Sequence, residues 1–341
     1  MRPLRHPILL ATLLLAGSLV ALIAAEAPRS LTGVREGYRR PTSIPFPAEN
    51  PFSEAKFALG EKLFFDPLLS GSRSRSCATC HNPSLSWADG LPRAAGEKQV
   101  SMALRSPSLI DVAYSEPLGW DGKFNDLEAV AFGPIANPAN MNLNEPELIA
   151  RLSAIPGYLD AFEHAFGERT VTRRRIELAL ATFERTIVAK DSPFDRWIMG
   201  DETAIVVAAK RGFKIFNGKA HCSSCHNGPS FTDGSFHDVG TAENDDVGRG
   251  RLFPTSEQLR YAFKTPTLRD VGRRAPYMHN GSVATLEDVI SLYEKGGIDR
   301  PSRSPFIKSF SLTPSEKTDL IAFLQTLTGS SPSFTVPTLP R

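Results

Sequence analysis

At 341 residues the chain is long enough for two domains, each with its own hydrophobic core. Its 39 Lys and Arg against 37 Asp and Glu leave a formal net charge of +2, and no basic run is long enough to argue for nucleic acid as a partner. Aromatic residues at 9% are ordinary for a globular fold, which excludes a low-complexity or solvating chain.

Arg2 and Arg5 precede an apolar run from Ile8 to Ala25, and small residues close it at Ala24 to Ala27. That is the order of regions in a secretory signal, so residues 1–27 are read as a signal peptide and the mature protein as periplasmic. Pro28 sits awkwardly behind a cleavage point, which leaves Ala24 and Ala25 as alternative sites. At about 18 apolar residues the run is also borderline for a retained membrane anchor. Residues 28–50 are rich in Pro and Arg and read as an extended lead-in. Ser53 is the N-cap of a helix expected to reach Phe65, with Phe57, Leu59, Leu63 and Phe64 as apolar positions.

Cys77-Ala-Thr-Cys-His81 follows, then loop chemistry at Asn82-Pro83, Trp87 and Asp89-Gly90. Helical periodicity returns over residues 145–166 and 172–187. Residues 191–200 read as a hinge, and 203–216 as a helix leading into a second motif, Cys222-Ser-Ser-Cys-His226. The chain has four cysteines, all of them in these two motifs. A CxxCH run is the attachment signature of a c-type haem. The two thiols add to the haem vinyl groups, and the adjacent His becomes an axial ligand of the iron. Two disulfides or a four-thiolate zinc site are the alternatives, but neither needs a His after each pair, nor an Asn after each His (Asn82, Asn227). The expectation is two covalently bound c-type haems, held at Cys77, Cys80, Cys222 and Cys225, with His81 and His226 on the irons. Export suits this reading, since c-type attachment takes place outside the bacterial cytoplasm.

The two halves are related. Ser106-Pro-Ser-Leu-Ile-Asp-Val112 lies over Thr265-Pro-Thr-Leu-Arg-Asp-Val271, 159 residues on. In the same ungapped register Pro117 meets Pro276, Gly122 meets Gly281, Leu127-Glu128 meets Leu286-Glu287, and Val130 meets Val289. The fold class expected is therefore mainly α, two cytochrome c-like haem domains related by internal duplication, with long irregular loops. The domains are placed at 28–195 (a peroxide-reactive, high-spin haem) and 196–341 (a six-coordinate, electron-transfer haem).

Downstream of the second motif the candidates for a sixth ligand are His237, Tyr277, Met278, His279 and Tyr293. Tyr293 lies seven residues after Leu286, two helical turns along one face. Its counterpart in the first half is Pro134, which cannot ligate iron. Between His81 and Pro134 there is no other His, and the one Met is Met102. An open first haem and a filled second haem follow, one to react and one to store charge.

The chain resembles the bacterial di-haem cytochrome c peroxidase/MauG family over nearly all of its mature length. The resemblance rests on "LGEKLFFDPLLSG", "GWDGKFNDLE", "FDRW", "RGFKIFNGKAHCSSCHNGPSFTD" and "KTPTLRDV…APYMHNGSVATLEDV". Ordinary peroxidases of the family place a Met where this chain has Tyr293 and carry a distal His in the first-haem loop. That loop (residues 90–105) has no His here, and both features resemble the MauG branch. The resemblance implies hydrogen peroxide as the oxidant at the first haem and Trp120 as the electron relay. It implies oxidising equivalents shared with the second haem and a donor oxidised at a distance, with a Trp of a partner protein as the leading candidate. A small cytochrome or a cupredoxin is the other kind of redox partner implied.

The departures matter equally. The family's distal Gln and Glu fall on Val130 and Asn140, and Val130 cannot move a proton between peroxide oxygens, a service worth roughly 10²–10⁴-fold. Asn140 can hydrogen-bond but not shuttle a proton, so either another carboxylate, with Glu145 and Asp121 as candidates, fills in or peroxide turnover is slow. The family's calcium site aligns with Arg105 and Arg274, whose guanidiniums would replace the ion's charge, so calcium is not expected. Trp87 and Trp197 are read as packing residues or as hopping sites, and His164 and His221 as surface residues. Where the family's methylamine-dehydrogenase-modifying member has a Trp, this chain has Lys219-Ala220-His221, so that partner does not carry over. Two further readings stand beside the MauG-like oxidoreductase: an ordinary peroxidase draining a small cytochrome, and a non-enzymatic di-haem electron carrier.

Overall fold

The computed structural model describes residues 31–330 and 334–341; the segment 1–27, expected to be a signal peptide, lies outside them. The helices are α1 (Leu31–Glu36), α2 (Glu54–Phe65), α3 (Cys77–Cys80), α4 (Leu127–Ala136), α5 (Glu145–Ser153) and α6 (Pro156–Phe166). They continue with α7 (Arg173–Arg185), α8 (Pro193–Ile198), α9 (Val207–Asn217), α10 (Leu286–Lys295) and α11 (Pro314–Gln325). Two-residue strands β1 (Phe236–His237) and β2 (Phe263–Lys264) pair antiparallel. The fold is mainly α with two cytochrome c-like domains. Among the described residues no helix is long and apolar enough to cross a membrane.

Side-chain caps start most of the long helices. Ser53 accepts from the Lys56 N–H, Asp126 from Ala129, Thr172 from Arg175 and Thr285 from Asp288, each satisfying one orphan first-turn donor. Three local expectations change. The 28–50 lead-in contains α1, held where Arg35 pairs with Glu202 at 2.7 Å and lies 4.1 Å over the Trp197 ring. The helix expected over 145–166 is split into α5 and α6 by Pro156, which sits in the first turn of α6. The expected hinge at 191–200 is α8, because Ser192 and Asp195 form a capping box around Pro193 in its first turn.

Each domain is built on one close helix crossing. In the first, α2 packs on α7 at Gly60, where an added Cβ would lie 1.9 Å from the Ala179 carbonyl oxygen and 2.9 Å from Cβ of Phe183. In the second, α9 packs on α11 at Gly212, where it would lie 1.9 Å from the Asp319 carbonyl oxygen and 2.8 Å from Cβ of Phe323. The duplicated helices thus meet backbone to backbone in the same way. The ends of the chain cross over. Tyr38 packs in the second core against Phe194, Phe213 and Phe231, while Phe334 stacks on Phe65 of the first at 4.8 Å.

The repeats meet across a seam with pseudo-two-fold symmetry. Arg105 donates its N–H to the His279 carbonyl at 3.0 Å, and Lys264 donates to the Trp120 carbonyl at 2.9 Å. These are equivalent residues in the 159-residue register, exchanging equivalent bonds. Ser86 Oγ likewise bonds Asp270 at 3.2 Å while Ser230 Oγ bonds Asp111 at 3.3 Å. Such reciprocity is the mark of an isologous contact, here within one chain.

Candidate functional site

One cavity of about 690 Å³ runs along this seam and is lined by Cys77, Cys80 and His81 from one half and by Cys222, Cys225 and His226 from the other. Trp120, Asn140 and Tyr293 line it too, so the structure brings all nine residues singled out by the sequence to one void. In the first motif the His81 N–H bonds back to the Cys77 carbonyl at 2.9 Å, closing one helical turn that brings the imidazole round to the cavity. His226 repeats this on Cys222 at 2.9 Å. The His226 Nδ1 is 2.9 Å from the Phe231 carbonyl; the His81 Nδ1 is 3.3 Å from the Trp87 carbonyl and 3.4 Å from Ser106 Oγ. With Nδ1–H given to a carbonyl, Nε2 is left as the ligating atom.

Burial lowers both imidazoles, His81 to about 4, which favours the neutral form that can ligate a metal. Burial raises the Cys77, Cys80 and Cys222 thiols, Cys222 to about 12, and all four cysteines are unpaired. No disulfide joins them, and the four sulfurs do not converge on a zinc position. The one grouping of three metal-capable side chains among the described residues is Cys225, Asp233 and His237. Two thiols, one neutral imidazole and an adjoining void in each half fit haem.

The five candidates for the sixth position separate by what their polar atoms already do. His237 is held by Asp233 at 2.8 Å and Ser304 at 3.1 Å. Tyr277 donates to the Val271 carbonyl at 3.1 Å. His279 bonds Asp246 at 2.7 Å and stacks on Phe263 at 3.6 Å. Tyr293 and Met278 line the cavity with heads uncommitted among the described residues, and burial raises the Tyr293 hydroxyl well above its ordinary value. In the first half α4 presents Val130 and Pro134 to the cavity, with Met102 and Asn140 beside them.

Trp120 donates its indole N–H to the Arg105 carbonyl at 3.0 Å, and its ring centroid is 6.4 Å from that of His279, its own counterpart in the repeat. Trp87 and Trp197 lie off the cavity. Trp87 packs between Phe64, Phe183 and Phe334, and Trp197 donates to Glu202 at 2.9 Å. His164 and His221 are exposed, His221 at the cavity wall.

The carboxylate expectation needs correcting. Glu145 lies outside the cavity, 3.5 Å from Arg173, because its place in the first turn of α5 faces that arginine. Asp121 does line the cavity, and so does Glu184 of α7, which the sequence reading missed. Glu184 is 8% exposed, its carboxyl has no hydrogen-bond partner among the described residues, and burial pushes it up to about 8. A Glu in an apolar stretch beside Phe183 was the available signal. Its neighbour Arg185 takes the ion pair instead, gripping Glu128 with two bonds of 2.6 and 2.7 Å. At the calcium positions, Arg105 donates to the Arg274 carbonyl at 3.1 Å and Arg274 donates to the Thr267 carbonyl. A dication does not fit between two guanidiniums that have no carboxylate within 4.0 Å among the described residues.

Residues 54–203 match the family model for di-haem cytochrome c peroxidase and residues 209–328 the model for cytochrome c. The chain is 48% identical over 319 residues to the methylamine utilization protein MauG of Methylorubrum extorquens, covering 93% of this chain and 90% of that one. It is 44% identical to the MauG of Methylophilus methylotrophus, covering 90% and 92%. Among solved structures it superposes on a MauG-like protein associated with microbial copper homeostasis with a TM-score of 0.80 and 31% identity, covering 87% of this chain and 98% of that one.

Proposed function

Because the chain belongs to the di-haem cytochrome c peroxidase/MauG family and is therefore a haem oxidoreductase of the peroxidase type, we propose that it is a MauG-like periplasmic enzyme. On this reading two c-type haems are held covalently by Cys77 and Cys80 and by Cys222 and Cys225, with His81 and His226 as proximal ligands and Tyr293 as the sixth ligand of the second haem. The observation that carries it is the asymmetry between equivalent positions of the two repeats. Tyr293 offers an uncommitted hydroxyl to the cavity, where the first half offers Pro134.

Bound haem supplies the reaction with hydrogen peroxide and the storage of oxidising equivalents. The chain's own residues do the rest. The Trp87 and Phe231 carbonyls fix the tautomer of the two imidazoles. Asn140, in the cavity lining, can hydrogen-bond but not shuttle a proton, and Glu184 holds a proton in the cavity wall at neutral pH. Trp120, tethered to Arg105 at the seam, carries electrons between the halves toward a donor, for which a Trp of a partner protein is the leading candidate.

The test is stopped-flow absorption of the diferric protein with one equivalent of hydrogen peroxide. A fast Soret change at both haems with a near-infrared charge-resonance band is the expected result, and Trp120→Phe is expected to slow the second haem's response. Slow bleaching alone would favour the electron-carrier reading, for which Val130 at the open side is the specific support.

A further inference from the structure

Four basic side chains line the cavity with no carboxylate in direct contact, although Asp89, Asp233 and Asp270 act on Arg105, Lys264 and Arg274 from farther off. Arg75, Arg105 and Lys264 are 7%, 7% and 9% exposed, and Arg274 joins them from the second half. None of the four lies within 4.0 Å of an acidic oxygen among the described residues, and Nε of both Arg75 and Arg274 is buried without any partner. The bonds they do make go to neutral groups: Arg75 to the Ala95 carbonyl and Cys80 Sγ, Arg105 to the Arg274 carbonyl, Arg274 to the Thr267 carbonyl, and Lys264 Nζ to the Gly234 carbonyl at 3.1 Å. Arg105 and Lys264 also occupy the same position of the two repeats, so each half brings one buried cation to the seam.

A guanidinium cannot shed its proton, and burying an unpaired cation costs several kcal/mol. Such groups are compensated when a bound anion meets them, and carboxylates suit the planar guanidinium best. The ligand of this family brings carboxylates of its own, the two propionate side chains of each haem. We propose that Arg105, Arg274 and Lys264 form a carboxylate-binding seam that takes haem propionates from both halves, and that this seam holds no divalent cation. The inference rests on haem being bound, as proposed above, and on the arginines themselves.

The test begins with a pyridine haemochrome count, so that a failure of the cofactor reading registers separately as absent haem. Spectroelectrochemical titration of loaded wild type, Arg274→Gln, Arg274→Lys and Lys264→Met then follows. Removing a cation beside the propionates is expected to lower the reduction equilibrium constant of at least one haem about tenfold, or roughly 59 mV for a one-electron couple. Arg274→Lys is expected to keep most of the wild-type value. Wild type dialysed against a calcium chelator is expected to keep its spectrum and to take up no calcium on titration. Unchanged midpoints in loaded variants would overturn the proposal, as would stoichiometric calcium uptake with a chelator-reversible spectral change. If Arg274→Gln does not fold, Lys264→Met carries the same comparison.

Discussion

Glu184→Gln should stabilise the protein, and by an amount that grows with pH. The carboxyl is 8% exposed and pushed from its ordinary 4.5 to about 8, chiefly by burial, with Arg185 lowering it and Glu128 raising it. The folded chain therefore keeps a proton that the unfolded chain releases above pH 4.5. Its contribution to stability is fully present below that pH and is lost as pH rises toward 8. Each pH unit in that window is worth about 1.4 kcal/mol, so by pH 7 the wild type has given up about 3 kcal/mol that a neutral Gln does not lose. Urea unfolding of the haem-loaded protein at pH 5, 6, 7 and 8 measures this directly. The two stability curves are expected to lie close together at pH 5 and to diverge above it, with the variant higher. Parallel curves, or a variant weaker at every pH, would refute the reasoning, because the carboxyl would then be ionised and partnered. If Glu184 supplies the proton for peroxide cleavage, the variant should react more slowly while being more stable, the trade-off expected of a strained functional group.

Gly212→Ala should destabilise the second domain by about 1–3 kcal/mol, since the new Cβ would lie 1.9 Å from the Asp319 carbonyl oxygen, and a lowered melting temperature would report it. Overpacking is expected to exceed the ~1 kcal/mol that Ala gains over Gly in helix propensity, and an unchanged or raised melting temperature would show that the helices can separate freely. Arg185→Met should cost about 3–5 kcal/mol in chemical denaturation, because it leaves Glu128, 5% exposed, without its two-bond partner. Tyr293→Phe should convert the second haem from six-coordinate to five-coordinate in its electronic and electron paramagnetic resonance spectra and leave the first haem's signal in place. A spectrum that does not move would exclude Tyr293 as a ligand.

Several features were legible locally. Ser53 announced its helix because an N-cap acts within one turn, and the cap is made; periodicity alone found the helix that Thr172 caps. The segment at 191–200, read as a hinge, carried the same kind of signal, Ser192-Pro193 followed by Asp195, and forms α8. Glu145 and Glu184 show where local reading ends. Both are acids on helices, and which of them reaches the cavity depends on how α5 and α7 pack against distant elements.

The sequence by itself determined the two CxxCH motifs, the duplication, and the unequal pair Tyr293 and Pro134, because covalent attachment chemistry and a repeat register are properties of residue type and spacing. Only the tertiary structure decided that one cavity serves both motifs and that Arg105 and Lys264 exchange backbone bonds across the seam with His279 and Trp120. It likewise decided that His237, Tyr277 and His279 are already committed to other partners. Burial and hydrogen-bond partnership arise between residues far apart in the chain, and they set which side chains are left free to meet a ligand.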